Sequence, residues 1–383
     1  MKHDVKIVIG ANYGDEGKGL MSRYFTKQFE SDNKYSVTVL HNGTAQRGHT
    51  ADYEDGSRHV FHNFGAGAQD GGATFYASTF LVHPMDFCRE IRELGFVPEV
   101  YCDPSCIVVT PVDMLTDHII EDWIAVKTGA REYGSCCYGS WGATDRATNR
   151  PDLAFTVFDF LHGSYSQKMN QLHDWAFARL NRYGIDMRLV PQWAPYLDVR
   201  TDRWNGMCNH FKTDLATFFD HANRQTFETI WNAFDSVIFE GAQGLLLDKD
   251  APTTWTTTSN TGLRNPAYLL DGRNDFDAEV CYVTRSYVTR HGDGPLPWEV
   301  DPPELGDNIF DRTNVFNPFQ GKLRYAVAEW SVIEDAVSRD MSKYVGGNTK
   351  FHETLAITHC NERDVSGGDY RSYSPCEVEA KKK

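Results

Sequence analysis

The 383-residue sequence has no long apolar run; the purely apolar stretches are as short as Ile107–Val109. A membrane-crossing helix needs about 20 apolar residues, so none is expected. Positive charge is in deficit, with 38 Lys and Arg against 53 Asp and Glu and a net charge of −15. That balance excludes unspecific nucleic-acid binding, which needs a basic footprint. It leaves nucleotide binding open, because a phosphate site needs only a few amides and cations in one place. Paired CxxC spacing is missing as well. The nine cysteines are odd in number and scattered, and Cys102/Cys106 and Cys136/Cys137 do not match a zinc site. They read as reduced thiols of a cytoplasmic protein. The opening MKHDVKIVIG enters a strand pattern directly, without the pattern of a signal peptide. No repeat or low-complexity linker is present.

What the sequence has is an ordinary globular balance, 41% hydrophobic and 24% charged. Val5–Gly10 is β-branched and apolar and ends in glycine, the pattern of a buried strand. A glycine-rich loop follows, then a helical pattern over Leu20–Phe29 and a second strand over Tyr35–Leu40. Further strands are expected at Ile107–Pro111, Ser236–Glu240, Val280–Arg285 and Leu355–His359. Helices are expected at His83–Leu94, Val112–Lys127, Asp159–Tyr183, Asp214–Phe234 and Tyr325–Met341. Such alternation predicts an α/β fold: a large, mainly parallel central sheet with helices on both faces and a P-loop-like phosphate loop after the first strand. Gly65–Ser78 and Leu247–Pro266 read as long irregular loops, and such loops in a compact domain are usually functional. Residues 1–364 are expected to form a single domain and 365–383 a polar, frayed tail.

The loop reads Gly10-Ala-Asn-Tyr-Gly14-Asp15-Glu16-Gly17-Lys18-Gly19. Glycines let the backbone approach a phosphate, and the following helix N-terminus adds amides and a favourable dipole. Lys18 supplies a cation for the β/γ oxygens, and Asp15 can hold Mg²⁺ or act as a base. The loop departs from G-x-x-x-x-G-K-[ST], because Gly19 stands where the metal-binding hydroxyl would be.

This string resembles the GxxxGDEGKG signature of the adenylosuccinate synthetase family, which joins L-aspartate to the 6-position of a 6-oxopurine nucleotide at the expense of a nucleoside triphosphate. More of the family pattern follows in order. Gly48-His49-Thr50 resembles GHT, Phe239-Glu-Gly-Ala-Gln-Gly-Leu-Leu-Leu-Asp248 resembles FEGAQGxLLD, Thr257-Thr-Ser-Asn-Thr261 resembles TSSNT, and Tyr287-Val-Thr-Arg-His-Gly-Asp-Gly-Pro-Leu-Pro297 resembles YxTRxGxGPFP. The resemblance spans about residues 5 to 360.

The resemblance implies roles. Asp15 becomes the base that takes the purine N1 proton and a Mg²⁺ ligand, the Gly48 carbonyl a second ligand, and His49 the acid at the γ-phosphoryl group. Gly14, Glu16, Gly17, Lys18, Gly19, Gly48, His49 and Thr50 would surround the donor nucleotide, and Gln243 would bond the purine 6-position. Gln46 and Thr257 would hold the 5′-phosphate of the purine monophosphate. Ser135 and Cys136 lie where the family has a Thr-Thr pair on that phosphate, and Cys136 lacks the second hydroxyl. The family completes this site with an arginine from the partner subunit, so a homodimer is expected, with Arg146 or Arg150 crossing and spacing favouring Arg150. Lys322 and Arg324 occupy the place of the family's arginine-rich loop for both aspartate carboxylates.

Departures bear on the substrates. The family reads the guanine of GTP with an Asp at a strand end, where this chain has Ala356-Ile-Thr-His-Cys-Asn361. A carboxylate only accepts hydrogen bonds, whereas an amide both donates and accepts, which suits adenine. Asn361 therefore points to ATP or dATP. With its shortened C-terminal part, the chain resembles the phage and archaeal 2-aminoadenylosuccinate synthetases, which act on dGMP or GMP toward diaminopurine nucleotides. Many phage members replace the loop Asp by a small residue, whereas this chain keeps Asp15, so IMP stays as the alternative acceptor. A phage origin would place the enzyme in the host cytoplasm. A nucleotide-binding switch on the same loop is a further alternative, but it leaves the Gln243 and Thr257 motifs without a role.

Overall fold

The computed structural model describes residues 2–129, 135–307, 309, 311, 316, 321–344 and 351–381. A ten-stranded sheet organises it. In chain order its strands are β1 (His3–Gly10), β2 (Ser36–Leu40), β5 (Ala73–Tyr76), β6 (Val100–Cys102), β7 (Asn223–Arg224), β8 (Ser236–Gly244), β9 (Phe276–Arg285), β13 (Phe351–Thr358), β14 (Tyr370–Arg371) and β15 (Glu379–Ala380). A hairpin, β3 (His49–Asp52) and β4 (Arg58–Phe61), stands apart, as does a small sheet of β10 (Val288–Arg290), β11 (Glu299–Val300) and β12 (Arg324–Ala326). The large sheet runs β15-β14-β13-β9-β1-β8-β2-β5-β6-β7. Every neighbouring pair is parallel except β14–β15.

β1 shows why the sheet carries helices on both faces. Its side chains alternate, and apolar residues enter a core on each face. Val5, Ile7 and Ile9 enter one core with Ile230, Trp231, Ile333 and Val337. Val8 enters another with Met21, Phe25 and Phe29 of helix α1 (Lys18–Ser31). A third, largely helical core includes residues of α2 (Pro84–Leu94) and α3 (Pro111–Thr128) and packs beyond β5 and β6. α3 starts on a capping box, in which the Thr110 side chain and Asp113 each accept the other's backbone N–H.

Several sequence expectations need correction. Ile107–Pro111 makes only isolated bridges, Val82 to Val108 and Ile107 to Thr156, and then becomes the cap of α3. Asp159–Tyr183 is two helices, Val157–His162 and Tyr165–Arg182, because Gly163 ends the first and the Ser164 side chain caps the second. The Asp214–Phe234 helix is also two, Asp202–His221, capped by Thr201, and Phe227–Ala233, with β7 between them. Tyr325–Met341 begins as β12 and turns helical only at Trp330. Gly65–Ser78 contains a short 3-10 turn and β5, while Leu247–Pro266 is mostly irregular but ends inside the helix Arg264–Leu269. The tail expected to fray adds β14 and β15 to the sheet edge.

Candidate active site

The phosphate loop leaves the C-terminal end of β1, where parallel sheets place their ligands. Gly14 (φ 135°) and Gly17 (φ 97°) take conformations that favour glycine, and Gly17 stands at the N-cap of α1. Glu16 turns inward and organises the loop. One of its oxygens accepts from the Asn12 N–H at 3.1 Å and the Gly14 N–H at 2.7 Å, and the other meets Lys18 Nζ at 2.8 Å. Lys18 Nζ also donates to the Gly14 carbonyl at 2.5 Å. The side chains of this Glu16–Lys18 pair are 3% and 1% exposed, so it forms an internal brace that a bound phosphate would compete with for the ammonium.

Asp15 faces outward. Its backbone carbonyl accepts from Arg285 Nε, and Arg285 pairs with Asp311 at 2.8 Å. Burial opposes the charge of Arg285, but Tyr287, Asp311 and Asp15 together raise its pKa above the ordinary value. The Asp15 carboxylate lies 3.4 Å from His291 Nε2. Thr358, at the end of β13, donates to the Glu16 carbonyl at 2.7 Å. The ends of β9 and β13 thus pin the loop from one side.

His49 opens β3 against the start of α1. A Cβ on Gly19 would lie 2.9 Å from the Thr50 carbonyl oxygen and 3.0 Å from His49 Cβ. This close approach explains why a glycine replaces the P-loop hydroxyl: no side chain fits between α1 and the histidine strand. His49 Nδ1 is 2.8 Å from Glu240 Oε1, and Arg47 Nη2 bonds the same oxygen. The other Glu240 oxygen accepts from the Ala66 N–H at 3.1 Å. Burial, then the Arg47 and Lys18 cations, hold the His49 pKa well below its ordinary value. Nδ1 thus lies between the Glu240 carboxylate and Arg47 Nη2, which is 3.0 Å from it.

Gln243, on the other side of the loop, is held at φ 64°, a conformation costly for a side-chain residue, and its Oε1 is buried without a hydrogen-bond partner among the described residues. Strain and an unpaired polar atom in one residue mark a site kept for a ligand. Gln46 accepts from the Ser140 hydroxyl at 2.8 Å, which joins the loop before His49 to the N-terminus of α4 (Ser140–Asn149). Ser135 and Cys136 precede that terminus; the Ser135 hydroxyl accepts from the Cys137 N–H, and burial pushes the Cys136 thiol up to about 11. Thr257 sits in the irregular segment, its N–H on the Leu247 carbonyl at 2.8 Å.

The remaining candidates are placed less simply. Arg146 is fully buried, bonded to Asp113 and to the carbonyls of Val108 and Leu153, so it cannot cross to another subunit. Arg150 is exposed and pairs with Asp152 at 2.6 Å. Arg324 is taken up internally by Glu299, and Lys322 lies on the turn before it. Gln320 of the same run lies outside the described residues. Asn361 is exposed, three residues past the Thr358 contact to the loop. Among the described residues no group of three or more metal-ligating side chains forms, and no helix is long and apolar enough to cross a membrane. None of the nine cysteines is in a disulfide.

The sequence reading assigned no role to Glu240, Arg47, Arg285 or His291. Glu240 stands inside the FEGAQG string, so its presence was visible. Its task depends on a residue 191 positions away.

A sequence model of the adenylosuccinate synthetase family matches residues 7–326. The adenylosuccinate synthetase of Teredinibacter turnerae is 28% identical over 332 residues, covering 83% of this chain and 70% of that protein. The Thermotoga maritima enzyme is 25% identical over 332 residues, covering 83% and 73%. Among solved structures, fully ligated adenylosuccinate synthetase from Plasmodium falciparum superposes with a TM-score of 0.67 at 17% identity, covering 93% of this chain and 77% of that one. Cyanophage S-2L succinoaminodeoxyadenylate synthetase, bound to dGMP and to dATP as an energy donor, superposes with a TM-score of 0.65 at 12% identity, covering 99% of this chain and 96% of that one. With most of its length matched by the family model, and with the phosphate loop, His49 and Gln243 gathered at one end of the sheet, this chain belongs to the adenylosuccinate synthetase family.

Proposed function

We propose that the protein joins L-aspartate to the 6-position of dGMP or GMP, driven by ATP or dATP, and so makes the 2-amino-(deoxy)adenylosuccinate precursor of a diaminopurine nucleotide. The observation that carries the donor assignment is Asn361, exposed just beyond the strand end that touches the phosphate loop. Its amide offers adenine N6–H₂ an acceptor and N1 a donor. The near-complete mutual coverage with the cyanophage synthetase supports the acceptor assignment, since the Plasmodium enzyme is matched over only 77% of its length. The retained Asp15 favours IMP as the second reading.

In this reading Asp15 takes the N1 proton, the 6-oxygen attacks the γ-phosphoryl group, and the aspartate amine then displaces the 6-phosphate. Gln243 orients the 6-position with its amide. Burial and the Arg47 and Lys18 cations disfavour the charged form of the His49 ring. Its acid role needs the negative charge of the bound triphosphate, which opposes the effect of Arg47 and Lys18 and brings a second proton onto the ring. The Asp15 carboxylate and the Gly48 carbonyl are hard oxygen donors that fit Mg²⁺, which when bound would neutralise charge on the transferring phosphoryl group. Gln46, Ser135, Cys136 and Thr257 would hold the 5′-phosphate. Arg150 would complete that site across a homodimer, since the exposed arginine is the one able to reach a neighbour. Lys322 and Arg324 would receive aspartate. A cytoplasmic location, in the host if the chain is phage-encoded, goes with this reading. The test is a substrate matrix of dGMP, GMP and IMP against ATP, dATP and GTP, with aspartate and Mg²⁺ and the products identified by mass. Aspartate adduct formed only from IMP, or only with GTP, would overturn the proposal.

A further inference from the structure

Asp15 has a second polar group beside it. His291 Nε2 lies 3.4 Å from Asp15 Oδ2, and the two side chains are 22% and 26% exposed. Each is thus aimed by its packing and still open to a ligand. His291 directly follows β10 and begins a turn in which Gly292 (φ 69°) and Gly294 (φ 99°) take left-handed conformations. A Cβ on Gly294 would lie 2.9 Å from Trp255 Cδ2, so this turn meets the irregular segment that carries Thr257. It therefore walls one side of the place given above to the purine monophosphate.

The large sheet sets an order across this place. β8 and β9 flank β1 on opposite sides. Gln243, in β8, comes to the loop from one flank, where a Cβ on Gly14 would lie 3.5 Å from its Cα. His291 comes from the other flank, where Arg285 at the end of β9 also holds the Asp15 carbonyl. The order across the site is therefore Gln243, Asp15, His291. The pairing edge of a 6-oxopurine has three consecutive positions: O6, then N1–H, then position 2. With Gln243 at the 6-position and Asp15 at N1, position 2 falls to His291. Guanine carries an amino group there, and hypoxanthine only C–H.

We infer that His291 reads the 2-amino group of a guanine nucleotide: Nε2 accepts from N2–H while Asp15 accepts from the neighbouring N1–H, and this pair of acceptors selects dGMP or GMP over IMP. The inference rests on the ligase reading above and gives its acceptor preference a residue. In this role the ring carries its proton on Nδ1 and offers Nε2 as the acceptor. Two acceptors side by side match two donors on adjacent atoms of guanine. Hypoxanthine satisfies only Asp15 and leaves the imidazole nitrogen against C–H. His291 makes and breaks no covalent bond, and Asp15 takes the N1 proton from either base. Retention of the loop aspartate is then compatible with a 2-amino substrate, because the amino group finds a partner of its own.

The test is kcat/KM on the full chain for GMP against IMP and for dGMP against dIMP, with donor, aspartate and Mg²⁺ saturating. The sugars are matched within each pair, so only the 2-amino group differs. A hydrogen bond between neutral groups is worth about 2- to 10-fold. His291→Phe keeps a flat ring and loses the acceptor, so it should lower the guanine-to-hypoxanthine ratio by about that factor in both sugar series. A ratio that stays or rises overturns the inference. A residue that only steadied Asp15 would give that result, since both bases surrender an N1 proton and both rates would fall alike. The ratio is taken within one preparation, so a partly unfolded variant scales both values and leaves the comparison intact. If His291→Phe does not fold, His291→Leu is read the same way, with the same expected fall and the same refuting result. An aspartate adduct formed from IMP and dIMP alone in the unmodified enzyme overturns the acceptor reading itself, before any variant is made.

Discussion

Substituting Gly19 by serine would restore the hydroxyl that P-loops present to their metal, and the structure nonetheless predicts a damaged enzyme. The new Cβ would sit 2.9 Å from the Thr50 carbonyl oxygen, 3.0 Å from His49 Cβ and 3.1 Å from the His49 carbonyl carbon. Two of these atoms are backbone, so no side chain can swing aside. Ordinary contact at about 3.4 Å or more requires β3 to shift by about 0.5 Å. Forcing a packed element apart costs about 1–3 kcal/mol, which in a chain of this size lowers Tm by a few degrees, at about 2–4 °C per kcal/mol for domains of 150–250 residues. The shift also lengthens the 2.8 Å contact that holds His49 on Glu240. A misplacement of about 1 Å costs roughly 100-fold in rate, so half of that predicts about a 10-fold loss in kcat/KM for the donor. Gly206→Ala is the control: a Cβ there meets nothing within 4 Å, and the residue lies inside the helix Asp202–His221. It should stabilise by about 0.5–1 kcal/mol. Differential scanning calorimetry and initial rates on both variants decide the matter. A Gly19→Ser enzyme with parental Tm and turnover would refute the close approach of β3 to α1.

Further outcomes follow from the same geometry. Asn361→Asp removes the amide donor and should move donor preference from ATP toward GTP by about 10- to 100-fold in kcat/KM, from about 1–3 kcal/mol for a bidentate base contact; an unchanged ratio means that another residue reads the base. Asp15→Ala and His49→Ala should each lose about 10²–10⁴-fold in kcat with the fold intact by circular dichroism, and near-parental turnover in either removes that residue from the chemistry. Glu240→Gln leaves buried Arg47 without its carboxylate and should cost about 3–5 kcal/mol in denaturant unfolding; a midpoint within error of the parent would show that the pair is not a support. Burial, with Arg47 adding to it, depresses the His41 pKa to about 3. The unfolded chain then binds this proton at higher pH than the folded one, so stability is full above about pH 6.5 and falls as pH drops toward 3, by up to about 1.4 kcal/mol per unit. His41→Asn should flatten that slope between pH 6.5 and 4.5, and an unaltered slope would assign the acid sensitivity elsewhere.

The strands that carry the site were legible in the sequence. β1, β2, β8, β9 and β13 are runs rich in β-branched and apolar residues that end at chemistry-bearing strings, and the burial of parallel strands on both faces produces such runs. The small sheet was not. β10, β11 and β12 are two or three residues long and hold together through Arg324, whose partner Glu299 is 25 positions away. Helix ends were misjudged where a cap outweighed periodicity, as at Ser164 and Thr201. Arg146 shows the limit on the site itself. Two arginines four positions apart in one polar stretch look alike in sequence, and only the carboxylate of Asp113, 33 positions upstream, makes one of them a buried strut.

The same distinction explains how the loop works. The glycines and Lys18 can be read along ten consecutive residues, yet the conformation of the loop depends on four neighbouring strands in the order β13-β9-β1-β8. β13 holds the Glu16 carbonyl through Thr358, 342 positions away, and β9 holds the Asp15 carbonyl through Arg285, 270 positions away. β8 crowds the start of the loop, since a Cβ on Gly10 would stand 2.7 Å from the Gln243 carbonyl oxygen. Each strand end thus does two jobs, carrying a group of its own and fixing the backbone beside Asp15. A parallel sheet suits this arrangement, because its ends lie about 4.8 Å apart and cannot shift singly without breaking register on both sides. Motifs far apart in sequence are therefore coupled mechanically. Removing the Thr358 hydroxyl, which touches no substrate in the proposed reading, should disturb the base at Asp15 as well as the nearby donor site.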